Sequence, residues 1–257
     1  MTLVGLDCAT QPKHTGLAVA TLDGDAVRVR EARIARSRED LVRALVGWLA
    51  PRPAVLALDA PLGWPAPMRR LATHRAGEPI ETAPNAFFRR ETDRHVQRTL
   101  GKTPLDVGAD RIARTAHAAL ATLAAVRQLV PVDLGWTPGA VEGVQAIEVY
   151  PAATLLSRRL SPRGYKRADA RERRAEILDE LAIHGPPRVL DAARDADHVL
   201  DAILCCVAAS DYALGHVTPP PSDERVRREG WIWVRPPEAP RPLTPPAAAP
   251  GGTGGRP

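Results

Sequence analysis

Thr2-Leu3-Val4-Gly5-Leu6-Asp7 and Ala54-Val55-Leu56-Ala57-Leu58-Asp59 are short, almost uninterrupted apolar runs, and each stops at an aspartate. A run of that length and continuity predicts a strand covered on both faces, and a carboxylate at its end needs a reason to be there. Between the two runs the chain reads clearly. A polar loop, Cys8 to His14, precedes a second strand from Thr15 to Leu22, and Asp23-Gly24-Asp25 is a hairpin signal. Val27, Val29 and Ala32 then alternate with charged residues, as on a half-covered third strand. Ser37-Arg38-Glu39-Asp40 has the form of a capping box, with Asp in place of the commoner Glu. It opens an amphipathic helix to about Ala50, with Leu41, Leu45, Val46 and Leu49 on one face. A helix between strands of this kind predicts a parallel crossover.

Further along, Pro61, Pro65, Pro67, Pro79 and Pro84 break the chain into loops and short helices before a longer helix at about 108–129. The whole of 62–143 is expected to be a helical insertion on the sheet. Val144 to Pro151 is the next strand, with Glu148 near its end. Helices are expected at 152–160, 169–184 and 195–214, the last strongly apolar, and Trp231 to Val234 suits a small edge strand. Residues 1–235 then form one domain, and the Pro/Ala/Gly-rich stretch 236–257 is expected to be disordered. No internal repeat is present.

Composition narrows the function. A hydrophobic share of 44% and a charged share of 25% belong to a globular chain, and no segment approaches the roughly 18 apolar residues of a membrane span. The N-terminus lacks a basic n-region, so a cytoplasmic location is expected. Cys205 and Cys206 are adjacent and Cys8 stands alone, which gives neither a disulfide framework nor a paired zinc-ligand set. Cys8 has two readings, a nucleophile or a small buried residue at a strand end. The net charge of +5, carried mostly by arginine, permits nucleic-acid binding without requiring it. The absence of a G-x-x-x-x-G-K-[ST] loop sets P-loop chemistry aside.

Asp7, Asp59 and Glu148 lie at or near the carboxyl ends of predicted central strands, where ligands bind in open parallel sheets. Asp197 and Asp201, four residues apart on the late helix, point to one side. Carboxylates converging there repel unless bridged by cations, and oxygen-only ligands favour Mg²⁺ or Mn²⁺. Two such ions can activate water against a phosphodiester. Ordinary structural roles also exist: Asp195 as a helix N-cap, and Asp197 in the first turn, where the helix dipole favours negative charge. Asp201, among Leu200, Ile203 and Leu204, is harder to explain without a partner.

Several motifs together resemble the domain of unknown function 429 family. They are Gly5 to Lys13, Leu58 to Pro65, Phe88 to Arg94, Glu148 to Ala152, the Gly164-Tyr165-Lys166 turn, Asp201-Ala202 and Glu229 to Ile232, in order across residues 3–234. The resemblance implies an α/β, ribonuclease-H-like fold: a mixed five-stranded sheet, its first three strands antiparallel, with flanking helices and acids meeting at one edge. It also implies a metal-dependent nuclease whose candidate catalytic residues are Asp7, Asp59, Glu148 and Asp201. The late helix is similar to that of Holliday-junction resolvases, in which an Asp precedes the Asp-Ala by three residues. Here the interval is four, which leaves the choice between Asp197 and Asp201 open, with Asp201 preferred.

Arg90, Arg94 and Arg98 recur every four residues, so a helix would present a basic stripe beside the only phenylalanines, Phe87 and Phe88. It could hold a nucleic-acid backbone and stack bases, or else pair internally with Glu91 and Asp93. The resemblance favours Arg89, Arg90, Asp93 and Arg94 as a clamp for an anionic ligand; Lys166, after Gly164-Tyr165, either reaches an anion too or is an exposed loop lysine. His14 is either a proton donor or a solvated loop residue, and the other histidines show no trusted ligand spacing. Three functions follow: a nuclease acting on DNA or RNA, a non-catalytic binding module, and a small-molecule phosphotransferase. The last would need glycine-rich phosphate hairpins, and the first strand pair offers only Gly16.

Overall fold

A computed structural model describes residues 1–108 and 110–237; residues 238–257, which hold most of the expected disordered tail, lie outside the described residues. Strands β1 (Thr2–Asp7), β2 (Gly16–Asp23) and β3 (Ala26–Ile34) form an antiparallel meander, and β4 (Ala54–Asp59) adds parallel to β1. β5 (Asp133–Leu134) and β6 (Val144–Glu148) complete a six-stranded sheet in the order β3-β2-β1-β4-β6-β5. The expected mixed sheet is present with its first three strands antiparallel, but it has six strands, not five. The sixth is the two-residue β5, too short to show any hydrophobic period. Trp231 to Val234 makes no strand; Ile232 forms a single parallel bridge to Glu148.

β1 and β4 read as continuous apolar runs because they are central and covered on both faces. On one face Val4, Leu6, Leu56 and Leu58 pack with Leu45 and Leu49 of α1 (Arg38–Leu49) and Leu123 and Val126 of α4 (Asp110–Arg127). Ser37 caps α1 by accepting from the Asp40 amide at 3.1 Å. On the other face Leu3, Val55 and Ala57 meet α8 (Asp197–Ala213), buried from Val199 to Ala213 between the sheet and the helices α5 (Pro151–Ser157) and α7 (Pro187–Asp195). An apolar surface all round is what such a position demands. The pattern along β3 shifts after Val29 because a bulge there leaves Val19 opposite Glu31 and Ala20 opposite Val29.

The stretch 62–143 holds a 3-10 turn, α2 (Pro84–Phe88), α3 (Glu91–Leu100), α4 and β5. Two of these elements belong to the sheet or its helical cover: β5 pairs with β6, and α4 packs against α1. α6 (Arg171–Glu180) occupies the middle of the expected 169–184 helix. α7 was not anticipated, and Asp195 ends it; it does not cap α8. A short α9 (Glu224–Glu229) follows near the end of the described chain. Among the described residues no helix is long and apolar enough to cross a membrane.

Candidate metal centre

Asp7 and Asp59 end adjacent parallel strands in direct register, so their side chains leave the same face side by side. Strand alternation gives that face: Leu3 and Gly5 precede Asp7 on it, and Val55 and Ala57 precede Asp59. α8 crosses the same face, and two glycines let it come close. A Cβ on Gly5 would lie 1.9 Å from the Ala202 carbonyl oxygen, and one on Gly16 would lie 1.8 Å from that of His198. The first turns of α8 thus rest on the ends of β1 and β2, and Asp201 is carried down to the two strand acids. Oxygen atoms of Asp7, Asp59 and Asp201 all lie within 4.8 Å of one another.

The cluster is largely out of water, with Asp201 at 0% and Asp7 at 7% exposure. Burial, opposed by a hydrogen bond with His198, pushes the Asp7 carboxyl up to about 6. Asp59 is raised well above the usual carboxylate range by burial and then by the charge of Asp7. Burial also raises Asp201, although Lys166 and Tyr165 pull it back. The Lys166 ammonium stands 2.7 Å from Asp201 Oδ2, and the Tyr165 hydroxyl donates to Oδ1 at 2.7 Å. His198 Nδ1 lies 2.6 Å from Asp7 Oδ2, and that hydrogen bond raises the imidazole above its ordinary value. Three carboxylates therefore face one ammonium and one imidazole, and a hard divalent cation suits what is left over. Cys8 lies beside them, but burial and the charges of Asp59 and Asp7 raise its thiol, the wrong direction for a nucleophile.

Glu148 is placed differently. It pairs with Leu58, one residue short of Asp59, and alternation along β6 sends it to the side of Val144 and Ala146, away from Asp7 and Asp59. There Arg90 Nη1 and Nη2 donate to its two oxygens at 2.9 and 2.7 Å, and the Leu62 amide donates at 3.0 Å. Asp197 is also outside the three-acid group and only half-buried at the start of α8, so of the two helix candidates it is Asp201 that joins the strand acids.

The basic stripe is spent internally. Arg90 is 1% exposed and also donates to both oxygens of Asp93, so its guanidinium is already occupied by two acids where it borders the cleft. Burial works against its charge, but Glu148 and Asp93 outweigh that and raise it. Arg94 and Arg98 both pair with Glu91, and Arg94 also donates to the Arg89 carbonyl. Arg89 sits half-buried with Nε 3.5 Å from Asp106. Phe87 is buried and meets Phe88 edge-on, an anchor for this segment. Of the four basic residues expected to bind an anion only Lys166 stands at the acid cluster.

Sequence reasoning passed over His198 and Tyr165. The signal for His198 existed, since three residues before Asp201 puts both on one helical face. Tyr165 sat unremarked inside a motif already singled out. Beyond the acids opens a cleft of about 810 Å³, with Cys8, Asp59 and Lys166 at one end and residues of the 100–115 and 156–163 segments along its walls.

The family described as "Protein of unknown function (DUF429)" matches residues 5–225. No curated protein matches the chain. Among solved structures, T. thermophilus RuvC in complex with a Holliday junction substrate is similar at 16% identity and a TM-score of 0.38, with 86% of this chain and 100% of that chain covered.

Proposed function

The chain belongs to the DUF429 family of proteins of unknown function, and from its acidic site we propose that it is a divalent-metal-dependent nuclease. One observation carries the reading: Asp7, Asp59 and Asp201 are held together, Asp7 and Asp201 buried and Asp59 half-buried, with too little positive charge around them. A cluster of desolvated like charges weakens a fold unless something binds it. Oxygen-only donors fit Mg²⁺ or Mn²⁺, with Asp7, Asp59 and Asp201 as the holding residues. When bound, such ions offset the charge of a phosphodiester and make water a stronger acid.

The chain's own groups supply the rest. Tyr165 and Lys166 fix the orientation of Asp201 from two sides. Lys166 is 57% exposed, so its ammonium is within reach of an anion entering the cleft. His198, held by Asp7 with its pKa raised by that hydrogen bond, stands beside the acids as the group that can give a proton to a departing oxygen. Glu148 acts at one remove: paired with Arg90, it fixes the Leu62 amide beside the end of β4. Nucleic acid is the partner this chemistry implies, and a reducing, cytoplasmic setting suits three free cysteines.

The test is incubation with a panel of labelled DNA and RNA under Mg²⁺ or Mn²⁺. Wild type is expected to cleave, and Asp7→Asn, Asp59→Asn and Asp201→Asn are each expected to lose on the order of 100-fold, the scale of removing one preorganised group. Full activity in any of the three removes the assignment. Binding of nucleic acid without metal-dependent turnover selects the non-catalytic module instead.

A further inference from the structure

Resting on that hydrolytic reading, we propose that the cleft takes an unpaired stretch of nucleic acid, whose phosphates lie on a basic wall formed by Lys102, Arg159 and Arg163. Sequence reading singled out none of these residues, and none belongs to the acid cluster. All three are exposed and line the same cleft as Asp59. Lys102 and Arg163 enter no ion pair within 4.0 Å among the described residues, in contrast to the arginines of α3. A cation left facing a cleft, while its neighbours elsewhere are neutralised, is suited to an incoming anion.

The backbone adds a second observation. Arg159 follows α5 with φ 61, and its amide and that of Leu160 bond back to Leu156 and Leu155. That is the left-handed closing position of a helix, where glycine is preferred because a side chain crowds the following carbonyl. An arginine is kept there, and it lines the cleft.

The wall also has an apolar part. Leu105 is 68% exposed, the most exposed large hydrophobic residue among the described residues, and it lines the cleft together with Leu100, Ile112 and Leu156. Basic groups beside an apolar shelf match a nucleotide, which joins an anionic phosphate to a flat base. Burial of the acids decides the strand state. A phosphodiester must enter the cleft to reach Asp59, the acid that lines it, and the convex backbone of a stacked duplex cannot readily follow a concave space of about 810 Å³. A single strand, or a nucleotide swung out of a helix, can.

The test is fluorescence anisotropy on the full chain with Ca²⁺ at the carboxylates. The probes are labelled oligothymidylate and oligouridylate of about 12 nucleotides, a length in the range of single-strand grooves, and a blunt duplex of the same length. The single strand is expected to bind at least tenfold more tightly than the duplex. K102A/R163A is expected to lower the slope of log K against log salt by about 1.4, from about 0.7 per lost phosphate contact. K102E/R163E should weaken binding further while the melting curve stays that of wild type. Equal affinity for duplex and single strand overturns the proposal, as does an unchanged salt slope in K102A/R163A. Single-strand binding on this wall without turnover in Mg²⁺ or Mn²⁺ upholds the cleft assignment and removes the hydrolytic reading. Turnover with unchanged binding in K102A/R163A does the reverse.

Discussion

Gly5→Ala tests whether close seating of α8 builds the acid cluster. The added Cβ would fall 1.9 Å from the Ala202 carbonyl oxygen, and real contacts of this kind stay above 3.0 Å. Neither atom is on a flexible side chain, so helix and strand must part by about 1 Å in a close-packed layer. Overpacking of this sort costs about 1–3 kcal/mol, which for a chain of this size lowers Tm by about 2–12 °C. The same displacement moves Asp201, the residue before Ala202, away from Asp7 and Asp59. Oxygens that now lie within 4.8 Å would spread, and Mn²⁺ affinity measured by calorimetry should fall by about tenfold or more. Gly47→Ala is the control: Gly47 is exposed on α1 with nothing within 4 Å of a new Cβ, so it should stabilise by about 0.5–1 kcal/mol. A Gly5→Ala protein with the melting temperature and Mn²⁺ affinity of wild type would refute the reasoning.

Asp7→Asn should stabilise the metal-free protein at pH 8 by up to about 3 kcal/mol, the cost of holding at about 6 a carboxyl whose usual value is 3.8. A raised carboxyl destabilises when ionised, so the advantage should shrink as pH falls from 7 to 5; urea titrations across that range check the sign. Arg90→Ala should cost about 3–5 kcal/mol in the same assay, because Glu148 and Asp93 lose their shared buried partner. Lys166→Met removes the ammonium 2.7 Å from Asp201, and Mn²⁺ should then bind at least about tenfold more tightly by calorimetry, since two cations no longer compete for one carboxylate.

The legible part of the fold was what hydrophobic period encodes. β1 and β4 stand out because both faces are covered, and their closing aspartates stand out against that background. Register has no such signature. Asp7 and Asp59 prove to be level, whereas Glu148 is level with Leu58, and one residue of offset sends a side chain to the other face. Arg90 misled for a related reason. Its spacing with Arg94 and Arg98 suggests a solvent-facing stripe, yet it is the N-cap residue of α3 and is turned inward by two acids, one of them Glu148. β5 and α7 were missed because neither carries enough buried residues to show a period: α7 buries only Val189 and Ala193. His198 is the clearest loss: its place three residues before Asp201 puts it on the acid-bearing face of α8, although the contact with Asp7, remote in sequence, is not itself legible from spacing.

The two groups of buried acids in this chain have opposite electrostatic character, and the contrast separates structure from function. Glu148 and Asp93 share one buried guanidinium through bonds of 2.7 to 3.2 Å, and Glu229 accepts the amides of Ala66 and Glu91. Those acids tie α3, β6, the end of α9 and the 3-10 turn at Ala66 together, and their charges are spent on those bonds. Among the described residues Asp7, Asp59 and Asp201 share no ion pair with a guanidinium. Their cation is Lys166, whose side chain is 57% exposed, and their other partner is an imidazole that can lose its charge. A site selected only for folding would be neutralised as the first group is, or replaced by apolar residues at little cost. Keeping three carboxylates together under a solvent-exposed ammonium leaves the centre ready to exchange that ammonium for a stronger cation.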